Sequence, residues 1–177
     1  MRNYKAVLVL AVLGITLSMN AQNETFTVPS EKGEELRGQY VVLNIKGSAK
    51  ENYSKVITMI NKMYNTPSEV IKSQIENEYI RIEGVSNLFR GLPSTHTIEF
   101  NFKQDKIRIK LLNITSKGSE GIVNVINYCT YNKSHNKQGK PKNRLVKYST
   151  EVVSGVNKLV SGIMLEISKD NSSSEDW

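Results

Sequence analysis

Cysteine, histidine and aspartate are scarce in this 177-residue chain, and each scarcity removes a class of chemistry. Cys129 is the only cysteine, so no internal disulfide can form. It sits in the apolar stretch IVNVINYCTY, a setting for a buried, inert thiol rather than a nucleophile. His96 and His135 are the only histidines and, with Cys129, form no C-x-x-C or H-x-x-x-H spacing, so no metal site is expected. Of the three aspartates, Asp105 falls in a hairpin turn and Asp170 and Asp176 in the C-terminal tail. Glu76, Glu78 and Glu83 gather around a hairpin and read as a solvated charged face rather than an acid/base pair.

Nucleophile and phosphate motifs are missing as well. No G-x-S-x-G elbow occurs, and the Ser-Gly pairs of VVSGV and LVSGI fall on a helix. KGSEG at 117 to 121 matches neither phosphate-loop pattern. The sequence therefore points to no catalytic residue and no cofactor. Cys129 with His135 is the one Cys/His pair to name, and it lacks an orienting acid, which leaves a hydrolase built on Cys129 as the weakest alternative.

Long apolar runs are confined to the N-terminus. MRNYKAVLVLAVLGITLSMNAQN places Arg2 and Lys5 before an apolar run from Ala6 to Leu17 and a short polar stretch ending at Ala21. This is the layout of a secretory signal peptide, residues 1 to 21, cut before Gln22. The run falls short of the about 20 residues that span a bilayer, and no later segment is apolar enough to do so. The expectation is an exported protein, periplasmic or secreted, with no transmembrane segment after cleavage and no nucleic acid among its partners. Without Arg2 and Lys5 the 24 basic residues become 22 against 17 acidic, a net charge of +5. That balance favours solubility and a weak attraction to polyanions.

What remains suffices for one domain, since a chain of this size buries about 68 to 70 % of its unfolded surface. The reading is a polar leader at 22 to 35, one α+β domain at 36 to 168 and a polar tail at 169 to 177. GQYVVLNIKG reads as a strand closed by Gly47. Ser48 and Glu51 then have capping-box spacing, and Tyr53, Val56, Ile57, Ile60, Met63 and Tyr64 recur at helical steps until Pro67. Four strands follow: 70 to 75 and 79 to 83 joined near Asn77, then a pair joined at Gln104 and Asp105. In the latter pair Ile98, Phe100 and Phe102 alternate with polar residues, and Ile107, Ile109 and Leu111 continue the row. Glu99 is placed to pair across strands with Arg108 or Lys110.

From Tyr148 onward Val152, Val156, Leu159, Val160, Ile163 and Ile167 form a helical stripe. Gly155 and Gly162 within it suggest close approach to the sheet. IVNVINYCTY fits either an added edge strand or a helical turn. The order is strand, helix, four antiparallel strands, helix, with both helices on one face of the sheet.

Several of these stretches carry a resemblance: the leader ending NAQ, the GQYVVLNIKGSAKENYSKV junction, NEYIRIEG and TIEFNFKQDKIRIKL. Together they resemble a family of exported Bacteroidota domains of unknown function with a TATA-box-binding-protein-like (TBP-like) fold, over about residues 36 to 115. The resemblance implies a compact cell-envelope domain and transfers no catalytic residue. Nor does the fold imply DNA binding, because function resides in sites.

The segment KSHNKQGKPKNR at 133 to 144 departs from that pattern, being basic, devoid of acids and longer than the connection needs. Its composition describes a flexible, solvated loop. Two binding surfaces follow. The first reading is a non-enzymatic domain that holds a small ligand between sheet and helices, or docks an envelope protein on an open sheet face carrying Arg81, Glu83, Glu99, Asn101, Arg108 and Lys110. The alternative is an anion-binding surface, directed at lipopolysaccharide or acidic glycans, made of Lys133, Lys137, Lys140, Lys142, Arg144 and Lys147.

Overall fold

The computed structural model describes residues 25 to 118 and 121 to 169; the expected signal peptide and the tail beyond Lys169 lie outside the described residues. The elements run β1 (Tyr40–Asn44), α1 (Ala49–Met63), α2 (Pro67–Val70), β2 (Ile71–Ile75), β3 (Tyr79–Phe89), β4 (Leu92–Lys103), β5 (Lys106–Gly118), β6 (Gly121–Asn124), a 3-10 turn (Val125–Tyr128), α3 (Tyr131–Ser134) and α4 (Asn143–Lys169). The sheet is antiparallel in the order β1-β5-β4-β3-β2, and β6 pairs with β5. β1 lies along Lys106 to Lys110 of β5 and β6 along Thr115 to Gly118, so the two share its outer edge. The expected α+β order is the one observed.

Short turns set the register. β4 and β5 join through Gln104 and Asp105, β3 and β4 through Arg90 and Gly91. Arg90 and Gly91 both have positive φ (49° and 68°), the turn geometry whose twist matches the flanking strands. Inward residues Ile80, Ile82, Ile98, Phe100, Phe102, Ile107, Ile109 and Leu111 are buried, and α1 and α4 cover this face. Past Leu111 the alternation slips. Thr97 faces Asn113 while Ile98 faces Leu111, so β5 carries one extra residue, and Ile114 and Ser116 become the inward positions.

The capping box of α1 is formed: Glu51 N–H donates to Ser48 Oγ at 3.2 Å, and Ser48 N–H to Glu51 Oε2 at 2.6 Å. Its buried face is Asn52, Val56, Met59 and Ile60, whereas Met63, expected in the stripe, is exposed. The helix closes at Tyr64, and Pro67 opens the short α2 instead of ending α1. Asn52 Nδ2 donates to the Lys103 carbonyl at 3.2 Å, tying α1 to the end of β4.

Helix α4 starts at Asn143, ahead of the expected Tyr148, because its first turn carries charge rather than apolar periodicity. The polar stretch before residue 36 joins the core: Phe26 is buried, its N–H donates to Asn157 Oδ1 at 2.8 Å, and Asn157 Nδ2 donates back to its carbonyl at 2.9 Å. IVNVINYCTY resolves into both alternatives, an edge strand through Asn124 followed by the 3-10 turn.

Candidate functional site

Two surfaces hold the singled-out residues. On the sheet face away from the helices, Ser73, Arg81, Glu99, Lys110 and Tyr40 stand in one cross-strand row, and Tyr79, Asn101, Arg108 and Val42 in the next. Arg81, Glu83, Glu99, Asn101, Arg108 and Lys110 all lie on this face, and their charges are largely answered within it. Arg81 Nη2 donates to Glu99 Oε2 at 2.8 Å, Asn101 Nδ2 to Glu99 Oε1 at 3.1 Å, and Arg108 Nη2 to Asn101 Oδ1 at 3.2 Å. The bond of Glu99 thus goes to Arg81 on β3, one of its two directly opposite neighbours, and not to Lys110, the other, or to Arg108, because the guanidinium fork reaches the carboxylate. Partial burial of Glu99 opposes its charge, but the Arg81 and Asn101 bonds, with the charges of Arg81 and Lys110, hold its carboxyl below the usual value. Arg108 also lies 5.6 Å from the Tyr40 ring centroid, and Glu83 sits 3.8 Å from Lys72.

The basic segment is not the flexible loop its composition suggests. Thr130 caps α3, its Oγ1 accepting from Lys133 N–H at 3.3 Å, and Ser134 Oγ donates to the Thr130 carbonyl at 3.0 Å. His135 stacks on Tyr131 with ring centroids 4.0 Å apart and is half-buried. Beyond it the chain folds back through a bridge between His135 and Pro141. Asn136 Oδ1 accepts from Gln138 N–H at 3.0 Å and Lys140 N–H at 2.9 Å, and Lys142 N–H donates to the Ser134 carbonyl at 2.7 Å. Gly139 has φ +75°, and a Cβ there would stand 3.2 Å from the Tyr131 hydroxyl. Backbone and Asn136 bonds supply the ladder that composition alone could not reveal.

This folded promontory displays the six cations. Lys133 leaves α3, Lys137 and Lys140 flank the turn, Lys142 precedes α4, and Arg144 and Lys147 stand one turn apart on it; all are exposed. No described acidic side chain pairs with any of them. The first turn of α4 has no acidic residue, so its positive dipole end is uncompensated and adds to the same field.

Cys129, His135 and His96 each have hydrogen-bond partners. Cys129 is buried, its Sγ donates to the Val125 carbonyl at 3.7 Å, and burial pushes its thiol up to about 11. His135 Nδ1 lies 2.9 Å from Ser134 Oγ, so the hydrogen bonds of the Cys/His pair go to different partners. His96 lies inside β4. It is fully buried, with Nε2 3.4 Å from Tyr64 Oη and Nδ1 3.3 Å from Ser86 Oγ. Gly84 opposite makes the room, since a Cβ there would lie 2.6 Å from Tyr64 Oη. Among the described residues no three His, Cys, Asp or Glu side chains converge as a metal-binding group, and no helix is long and apolar enough to cross a membrane.

One feature escaped the sequence reading. Between β6, the 3-10 turn and α3 lies a cleft of about 600 Å³ lined by Ile122, Val123, Asn124, Asn127, Tyr128 and Lys133. Arg37 reaches its rim, donating from Nη2 to Asn127 Oδ1 at 2.9 Å. Only the exposed character of Ile122 and Tyr128 beside a basic segment could have signalled it.

The same architecture occurs elsewhere. A TBP-like protein from Parabacteroides distasonis superimposes with a TM-score of 0.53 at 9% sequence identity, over 80% of this chain and 97% of its own. The fold is TBP-like. A DUF4468 family protein from Bacteroides ovatus superimposes with a TM-score of 0.57 at 15% identity, over 73% of this chain and 84% of its own. No family model matches the chain, and no curated protein does. At these identities the likeness to both structures is one of fold.

Proposed function

We propose that this chain is a non-enzymatic, exported binding domain of a Bacteroidota cell envelope, and that it engages polyanionic surfaces through the basic promontory. The observation that carries the reading is six exposed cations without acidic partners among the described residues, held on a hydrogen-bonded scaffold. Cations near the start of a helix oppose its dipole, at roughly 0.3–1 kcal/mol each within the first turn. A purely structural role would favour acids there. The Bacteroidota assignment is supported by the sequence resemblance and by the sources of the two TBP-like structures. Docking a protein on the open sheet face is the weaker reading, because most charges on that face already satisfy one another.

The test is retention on immobilised dextran sulfate across a salt gradient. Replacing Lys133, Lys137, Lys140, Lys142, Arg144 and Lys147 by Gln is expected to abolish retention at moderate salt. A matched variant with Lys32, Lys50, Lys103, Lys106, Lys117 and Lys158 replaced by Gln keeps the same net charge and should retain most of it. Equal loss in both would reduce the effect to overall charge and overturn the proposal.

A further inference from the structure

The cleft beside the promontory has a chemistry of its own. Tyr128 touches Tyr148 edge to face at 6.1 Å between centroids yet stays 43% exposed, and Ile122 is 82% exposed. Together they form an apolar shelf. Asn124 carries a buried amide oxygen with no hydrogen-bond partner among the described residues. Asn127 spends its amide oxygen on Arg37, which leaves its NH₂ donors unused and holds the guanidinium at the rim. Lys133 supplies an ammonium to the lining that no acidic side chain pairs among the described residues.

A fully ionised inorganic anion would satisfy the two cations and the Asn127 donors, but it offers no donor to Asn124 and no apolar face to Tyr128. A hydrocarbon chain would leave both amides and both charges unanswered. The complementary ligand has a flat C–H face, hydroxyls that donate and accept, and a carboxylate at its edge. We infer that the cleft between β6, the 3-10 turn and α3 binds a carboxylated sugar ring, such as a uronic acid residue of an acidic glycan. The ring stacks on Tyr128, its hydroxyls bond to Asn124 and Asn127, and its carboxylate faces Lys133 and Arg37. This rests on the polyanion reading and deepens it: the promontory supplies general attraction, and the cleft selects sugar.

Calorimetric titration of the exported protein with oligogalacturonate and, separately, with inorganic polyphosphate of matched charge separates the two levels. Tyr128→Ala is expected to lower oligogalacturonate affinity about tenfold, the equivalent of one lost stacking contact, and to leave polyphosphate affinity unchanged. Asn124→Asp, an isosteric change that removes the amide and adds a repelling charge, should act in the same direction, with unchanged thermal unfolding as the check on folding. If both variants bind oligogalacturonate like the parent while the six-cation variant loses it, the cleft inference fails and the polyanion reading stands. If the parent binds neither probe at low salt, both fall.

Discussion

His96 shows what a single buried side chain can impose on the whole fold. Burial lowers its pKa from 6.5 to about 4, because the interior penalises the imidazolium; the backbone contact at Ser94 opposes this only in part. The folded state therefore favours the neutral ring. The stabilisation is fully present above the unfolded value of 6.5 and is lost as pH falls from there towards 4, reaching about 3 kcal/mol as an order of magnitude. Proton NMR of the ring should give a midpoint near 4 for the folded protein, and a midpoint at the ordinary value would refute the assignment. The burial of His96 was not legible in the sequence. It follows from Gly84 on the neighbouring strand leaving space for the Tyr64 hydroxyl, a cross-strand relation no local pattern encodes.

At the scale of elements, α4 and its two glycines separate what periodicity treats alike. A Cβ on Gly155 would stand 1.8 Å from the Leu88 carbonyl oxygen on β3, whereas a Cβ on Gly162 meets nothing within 4 Å. Gly155→Ala should therefore force helix and sheet apart and destabilise by about 3 kcal/mol or more. Gly162→Ala should stabilise by up to about 1 kcal/mol through helix propensity alone. Urea unfolding of the two variants checks both signs, and matching shifts would contradict the close approach. The amphipathic stripe of α4, the capping box of α1 and the alternation of β4 were readable because each is written in nearby residues. The phase change at Leu112 was not, because a bulge is defined only by its partner strand. The promontory escaped for a similar reason: its order comes from Asn136, Ser134 and Tyr131 acting on the backbone, while its composition announces only charge.

The whole molecule extends beyond the region whose periodicity announced a domain. Phe26 lies in a stretch that reads as polar leader, yet it is buried against α4 and bracketed by two hydrogen bonds to Asn157. Phe26→Ala should destabilise the entire domain by about 3 kcal/mol, in the range of buried aromatic truncations. An unchanged unfolding midpoint in denaturant would show the segment to be an appendage. The fold class and the location of the charge were legible from the chain, since both are set by composition and period. The cleft was not, because it exists only where β6, the 3-10 turn and α3 meet.

The pairing of Phe26 with Asn157 also sets a timetable. The partners are 131 positions apart, so a chain that emerges N-terminus first, from a ribosome or through a translocation pore, presents residue 26 long before its acceptor arrives. The β2 to β5 hairpins can close as they appear, each from neighbouring sequence. The opening segment must wait for α4, so closure of this contact follows that of the hairpins and marks delivery of the helix that covers them.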